Sequence, residues 1–275
     1  MDTLKMENMF KNKVIIITGS TQGIGLRTAK LLADRGAIII INSRSAEKVE
    51  TAVTNLQQSG TQVMGVAGDI SNFEFCQELR NKVIERFGKI DFLINNAGLA
   101  AKGSLSNMVP EAYRQLYDVN VLGSLYPTMA VLKDLKASKG GVLFISSLAG
   151  IVGLPSYSAY SGTKSSIVSL AECFKNELLD DGVFVGLHYP GFTENDANKQ
   201  LINAKGESVT MIKRDDVKVE PLDKTVGEII RQMELRKFRA FSSTKGQLTN
   251  VMYRISPSFA LYVLKLNRRK IMEMQ

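Results

Sequence analysis

The chain has 275 residues, 44% of them hydrophobic and 23% charged, with a formal net charge of +8. That length suits one large domain with a sizeable core, and with no run of about 18 apolar residues a membrane-spanning helix is excluded. Its only cysteines, Cys76 and Cys173, sit in separate predicted helices; they read as reduced packing residues, with neither a disulfide framework nor a metal-ligand spacing, so no metal is expected.

Met1 to Lys13 holds no apolar stretch followed by a small-residue cleavage site, which points to a cytoplasmic chain. Val14-Ile15-Ile16-Ile17-Thr18 is a short β-branched run of the kind that forms a parallel strand buried on both faces. It leads into Gly19-Ser20-Thr21-Gln22-Gly23-Ile24-Gly25 and then an amphipathic helix. Strand, glycine-rich turn and helix make a phosphate cradle, because glycine permits close backbone approach and the helix N-terminus presents free N–H groups. The spacing is G-x-x-x-G-x-G; the G-x-G-x-x-G pattern fails at Thr28. The position of the turn after the first strand points to a dinucleotide.

Strand and helix then alternate along the chain. Strands are predicted near 14–18, 37–42, 62–67, 91–95, 141–146, 183–188 and 239–242. Helices are predicted near 24–35, 46–58, 73–87, 111–136 with an interruption around Asn120, 157–179 and 221–236. This alternation predicts an α/β fold with a parallel sheet. Its right-handed crossovers place a cleft at the C-terminal edge of the strands, where their order reverses.

Tyr160 and Lys164 lie one helical turn apart and so leave the same helix face, with Ser147 thirteen residues upstream of the tyrosine. A free phenol has a pKa of about 10, and a neighbouring ammonium favours its phenolate. The pair is therefore a tunable acid that can protonate a carbonyl oxygen without metal or histidine. His188, the only histidine, falls in a predicted buried strand and reads as a packing residue.

From Lys245 to Gln275 the tail holds six basic residues (Lys245, Arg254, Lys265, Arg268, Arg269, Lys270) against one acid, Glu273. Phe259, Tyr262, Val263 and Leu266 recur at helical spacing after Pro257, which suits a helix start. A basic amphipathic helix over 256–275 is predicted, packed on the domain 1–255 or on a partner subunit, or resting peripherally on an anionic membrane. Nucleic acid is not an expected partner, because no interleaved basic and aromatic stripe accompanies the charge.

Thr18-Gly19-x-x-x-Gly23-x-Gly25, Asn95-Asn96-Ala97-Gly98, Asn120, Ser147, Tyr160-x-x-x-Lys164 and Pro190-Gly191 occur in one order along the chain. In that order and spacing the sequence resembles the short-chain dehydrogenase/reductase family across nearly its whole length. Val121 to Pro127 and Tyr189-Pro190-Gly191 add a local resemblance to 3-ketosphinganine reductase and 11β-hydroxysteroid dehydrogenase-like members. The resemblance implies a single Rossmann-type doubly wound parallel sheet of about seven strands with helices on both faces, and a catalytic tetrad of Asn120, Ser147, Tyr160 and Lys164, with Asn120 holding a water that links Lys164 to solvent. It also implies reversible hydride transfer between a nicotinamide and a carbonyl carbon, in a homodimer or homotetramer built on the helices near 111–136 and 157–179. Cofactor contacts are implied at Gly19 to Gly25, at Asp69 and Ile70 on the adenine, and at Asn96-Ala97-Gly98, Tyr160, Lys164 and Pro190-Gly191-Phe192-Thr193.

The end of the second strand reads on cofactor choice. Ile41-Asn42-Ser43-Arg44 carries no acid to accept from a ribose 2′-hydroxyl, and Arg44 offers a guanidinium suited to a 2′-phosphate. NADP(H) is expected over NAD(H), with hydroxyl contacts from Ser20 and Thr21. The residues expected to border the substrate (Leu99, Ala149, Ile151, Val152, Leu154, Tyr157, Phe192 and Thr193) are mostly apolar, which favours a lipophilic ketone or aldehyde over a sugar. The alternative reading is a cofactor-binding sensor or scaffold without turnover, against which the intact tetrad stands.

Overall fold

The β-branched runs form the interior of one sheet in the computed structural model, which describes residues 9–58, 60–194, 200–210 and 219–273. Most of Met1 to Lys13 therefore lies outside the described residues. In chain order the first half runs β1 (Val14–Ile17), α1 (Gly23–Ala33), β2 (Ile38–Ser43), α2 (Ala46–Gln57), β3 (Val63–Ala67), α3 (Phe73–Phe87) and β4 (Phe92–Asn95). A two-residue β5 (Ala100–Ala101) follows, then α4 (Pro110–Tyr117), a π-helical turn (Asp118–Leu122), α5 (Gly123–Ser138) and β6 (Gly141–Ile145). Next come a 3-10 turn (Leu148–Gly150), α6 (Ser158–Glu177), β7 (Phe184–Tyr189), β8 (Gln200–Ile202) and β9 (Ser208–Thr210). The described chain closes with α7 (Leu222–Glu234), β10 (Arg239–Phe241), α8 (Thr244–Ile255) and α9 (Pro257–Glu273).

Seven strands pair in the order β10-β7-β6-β4-β1-β2-β3, every pair parallel. The order reverses between β1 and β4, which opens a crevice beyond their C-terminal ends. Alternation along each strand sends side chains to opposite faces. Ile15, Ile17, Ile39 and Ile41 pack with Leu32 of α1, Leu56 of α2 and Ile229 of α7. Val14, Ile16 and Ile40 pack with Val83 of α3, Leu135 of α5 and Ile167 of α6. With helices on both faces the middle strands are buried on each side, which is why they are nearly all Val, Ile or Leu.

The sequence reading and the structure differ in three places. A second, small sheet of order β5-β8-β9 was not expected: its strands have two or three residues, too few to show a period. Helix α8 was missed as well; Gly246 and Asn250 interrupt its apolar spacing. Cys173 was read as a packing residue, but it is exposed on α6, while Cys76 is buried and its thiol is pushed up to about 12 by that burial. The last helix does begin at Pro257, and it packs on α8.

His188 lies fully buried on β7, with Nδ1 2.9 Å from Gln232 Oε1 and Nε2 2.8 Å from Ser242 Oγ. Gln232 turns its amide nitrogen to the carbonyls of Leu187, Lys237 and Phe238, so its oxygen accepts from Nδ1–H. Burial lowers its pKa from 6.5 to about 4, partly offset by Gln232. The unfolded chain therefore takes up a proton first as pH falls, and the stability held by neutral His188 is present above about 6.5 and lost down to about 4, roughly 3 kcal/mol in all. Urea unfolding across that range should show this loss in the wild type. In His188→Asn the slope should largely vanish, at the cost of lower stability at pH 7.

Candidate active site

The turn after β1 fits against the loop after β4 with no space for side chains at two positions. Gly19 has φ +59°, and a Cβ there would stand 2.7 Å from Ala97 Cα. A Cβ on Gly25 would stand 2.6 Å from the Gly19 carbonyl oxygen and 2.9 Å from Ser20 Cα. Asn96 holds this contact from the other side: its Nδ2 donates to the carbonyls of Thr18 (2.9 Å) and Gly19 (2.8 Å). Thr18 Oγ1 accepts from the backbone N–H groups of both Asn96 and Ala97 at 3.1 Å. Gln22 caps α1 in extended conformation without a side-chain bond. The first-turn N–H groups of the helix thus point to the crevice without a side-chain partner at the cap, and the backbone is bare where a pyrophosphate would lie.

Ser20 requires a correction. Its hydroxyl, fully buried, donates to Ile17 O at 2.6 Å and accepts from Asn42 N at 3.1 Å, so it ties β1 to β2 and is not a hydroxyl offered to a cofactor. Thr21 and Gly23 are half-buried and Gln22 is exposed, whereas Ile24 packs towards the core. Beyond β2 and β3, Arg44 and Asp69 line a cleft of about 320 Å³ together with Ser71, Glu111, Arg114, Gln115, Asp118 and Val119. Asp69 Oδ1 also accepts from Ser71 N (2.9 Å) and Ser71 Oγ (2.7 Å), so it shapes its own turn. Ile70 is buried, and its side chain packs at Gly123. Arg114 was not singled out in the sequence; nothing but its place on α4 opposite Arg44 marks it.

Tyr160 and Lys164 sit on α6 as the spacing requires. Lys164 is nearly buried, donates from Nζ to Ile145 O at 3.0 Å, and holds Nζ 5.8 Å from the centre of the Tyr160 ring. Asn120 falls in the π-helical turn, the interruption predicted between α4 and α5. Its Oδ1 accepts from Leu99 N at 2.7 Å, and its Nδ2 donates to Leu99 O and Thr163 Oγ1, each at 2.9 Å. Gly98 lies between the two groups: a Cβ there would be 3.1 Å from Asn120 Oδ1 and 3.4 Å from Lys164 Nζ. Ser147 ends the segment after β6, and its Oγ accepts from Ala149 N at 3.2 Å. Its neighbour Ser146 donates to Lys164 O at 3.1 Å, so the serine loop is fastened to the helix that carries the tyrosine. Thr163 and Ser146 were not anticipated; adjacency to Lys164 and Ser147 was their only mark in the sequence.

The expected substrate border divides. Ala149, Val152 and Thr193 are buried, so they pack instead of lining a pocket, and Ile151 leans on the core. Thr193 bridges to Glu220 and contacts Thr225 Oγ1 at 3.2 Å. Leu99, Leu154, Tyr157 and Phe192 stay half-buried at the same edge, as do Pro190 and Gly191, the latter against Ser243.

A parallel sheet with a bare glycine turn at its switch point, and a Tyr-Lys helix facing it, defines a nicotinamide-dependent oxidoreductase. The family model for short chain dehydrogenase matches residues 13–207, and the chain belongs to that family. It is 33% identical over 195 residues to an 11-beta-hydroxysteroid dehydrogenase-like 2 from Arabidopsis thaliana, covering 70% of this chain and 63% of that protein. Its fold is similar to that of a short chain dehydrogenase/reductase from Burkholderia phymatum in complex with NAD, with TM-score 0.79, 21% identity and 91% and 95% of the two chains covered. An alcohol dehydrogenase from Thermococcus sibiricus complexed with 5-hydroxy-NADP matches with TM-score 0.73, 26% identity and 84% and 96% coverage. The protein is an enzyme acting on CH–OH and C=O groups with a nicotinamide cofactor.

The crowding at Gly25 gives a direct test of the cradle. Gly25→Ala should weaken NADPH binding by about 10- to 100-fold, the equivalent of an overpacking cost of about 1–3 kcal/mol. Gly153→Ala, where nothing stands within 4 Å of an added Cβ, should leave binding unchanged. Isothermal titration of both variants with NADPH checks the contrast.

Proposed function

We propose that this enzyme is an NADP(H)-dependent carbonyl reductase and alcohol dehydrogenase acting on lipophilic ketones or aldehydes, with Tyr160 as its acid and base. The observation that carries this reading is the Lys164 ammonium held 5.8 Å from the Tyr160 ring, with Asn120 and Gly98 packed beside it. Hydride exchange is the chemistry a nicotinamide supplies when bound, and Gly19 to Gly25, Asn96, Ala97 and Gly98 are the residues that would hold such a cofactor. Tyr160 gives its proton to the carbonyl oxygen on reduction and takes it back on oxidation. Ser147 hydrogen-bonds the same oxygen, and Lys164 favours the phenolate left behind. Asn120 acts by position: it locks the Leu99 backbone against Thr163, one residue from Lys164.

The preference for NADP(H) rests on Arg44 in the cleft beyond β2, where Arg114 shares the lining with the acids Asp69, Glu111 and Asp118, and on the missing acid at the end of that strand. Half-buried Leu99, Leu154, Tyr157 and Phe192 favour an apolar substrate over a sugar. Tyr117 on α4, Met129 on α5 and Leu179 just after α6 are exposed, which supports a homodimer or homotetramer joined on those helices.

Tyr160→Phe should lower kcat by about 10² to 10⁴ while NADPH still binds, since only the transferable proton is removed. The measurement is NADPH oxidation with a panel of medium-chain and steroidal ketones, beside a binding titration; retention of more than about a tenth of wild-type kcat would exclude Tyr160 as the acid. Arg44→Ala should weaken NADPH by about tenfold or more and leave NADH nearly unchanged. Equal losses for the two cofactors would make Arg44 structural.

A further inference from the structure

The described chain ends in two helices that pack on each other and leave apolar side chains in solvent. On α8 the exposed apolar residues are the set Leu248 (67%), Val251 (47%) and Ile255 (79%); on α9 they are the set Phe259 (54%), Tyr262 (56%) and Leu266 (66%), with Leu261 and Met272, each 50% exposed, outside it. Each set recurs at i, i+3 and i+7, so each helix carries one apolar stripe. The face that α9 turns inward is a different one, marked by buried Ala260 and half-buried Leu264 and Ile271. Exposed Lys245, Arg254, Lys265, Arg268 and Arg269 accompany the stripes. Arg254 stands 4.0 Å from Glu172 on α6, a distant pairing that leaves most of the positive charge unbalanced.

Charge decides which occupant fits. A second copy of the chain laid on this face would bring two basic surfaces together, whereas an anionic lipid surface complements both the cations and the apolar stripes. We infer that α8 and α9 form a peripheral docking surface for an anionic lipid bilayer. The root of this surface is the catalytic edge. Gly246 of α8 seats on Leu148, next to Ser147, and Ser243 caps α8 while facing Gly191. Docking therefore engages a helix whose first turn adjoins the loops that carry Ser147 and Gly191. The inference stands on the exposed surface and not on the cofactor or substrate assignment, so the two fail separately.

The test is co-sedimentation of the full chain with phosphatidylcholine vesicles and with vesicles of phosphatidylcholine and phosphatidylglycerol in equal parts. Binding is expected to the anionic vesicles alone at about 0.01 M salt and should fall at least about tenfold at about 1 M, as the Debye length shortens from about 30 Å to about 3 Å. K265E/R268E/R269E and F259E/L266E should each abolish binding while retaining the wild-type circular dichroism spectrum and Tm, which shows that the variants are folded. Absence of binding to anionic vesicles at low salt would overturn the inference, as would equal binding to neutral ones. So would light scattering that shows a dimer in the wild type and a monomer in F259E/L266E, because the face would then belong to a second copy.

Discussion

Everything at the catalytic edge depends on one close approach, that of the β1–α1 turn to the loop after β4. The two strands are neighbours in the sheet only because the order reverses there, and their following loops must leave in opposite directions. At Gly19 and Gly25 the separation is smaller than a Cβ can occupy. Asn96 converts that proximity into geometry by donating to the two carbonyls at the start of the turn. The helix N-terminus is thereby set at a fixed depth in the crevice, and the Asn96-Ala97-Gly98 segment is carried on towards α6. A phosphate site and a catalytic site that share no side chain are thus registered against each other through one strip of backbone.

Lys164 closes the other half of this arrangement. A nearly buried ammonium is costly unless its donors are used, and here one goes to Ile145 O at the end of β6. Asn120 stands in the only π-helical turn among the described residues, and such a turn shifts one backbone step out of helical register. That shift brings an amide side chain from the α4–α5 seam to Leu99 and Thr163. Strand end, π turn and catalytic helix are therefore mutually tied, and the geometry of Tyr160 relative to the crevice does not rest on any single loop.

The seven strands and the meeting of Tyr160 with Lys164 were legible because each rests on a period or a fixed spacing, whereas Asn120 came from the family resemblance. Val14 to Ile17 announces a strand buried on both faces; Tyr160 and Lys164 need only one helical turn to meet. What was not legible was tertiary. Ser20 looks the same in sequence whether its hydroxyl meets a phosphate or the β2 backbone, and only the burial against Asn42 decides. Ala149 and Val152 follow Ser147 as pocket residues would, yet both are buried, Ala149 within the 3-10 turn. Strands β8 and β9 are shorter than any period, and Arg114 has no motif around it.

That division follows from how the two sides of the crevice are built. The cofactor side is made of backbone held by the sheet, so its demands fall on glycine, asparagine and threonine at fixed offsets, and these survive in the sequence as a pattern. The substrate side is assembled from the segment after β7, a two-residue strand and the start of α8, joined by contacts such as Gly191 with Ser243 and Gly246 with Leu148. Each contact relates residues far apart in the chain and uses common residue types. The chemistry of such an enzyme is therefore written locally and its substrate choice globally, so the second can be approached only once the fold has brought α8 and the serine loop together.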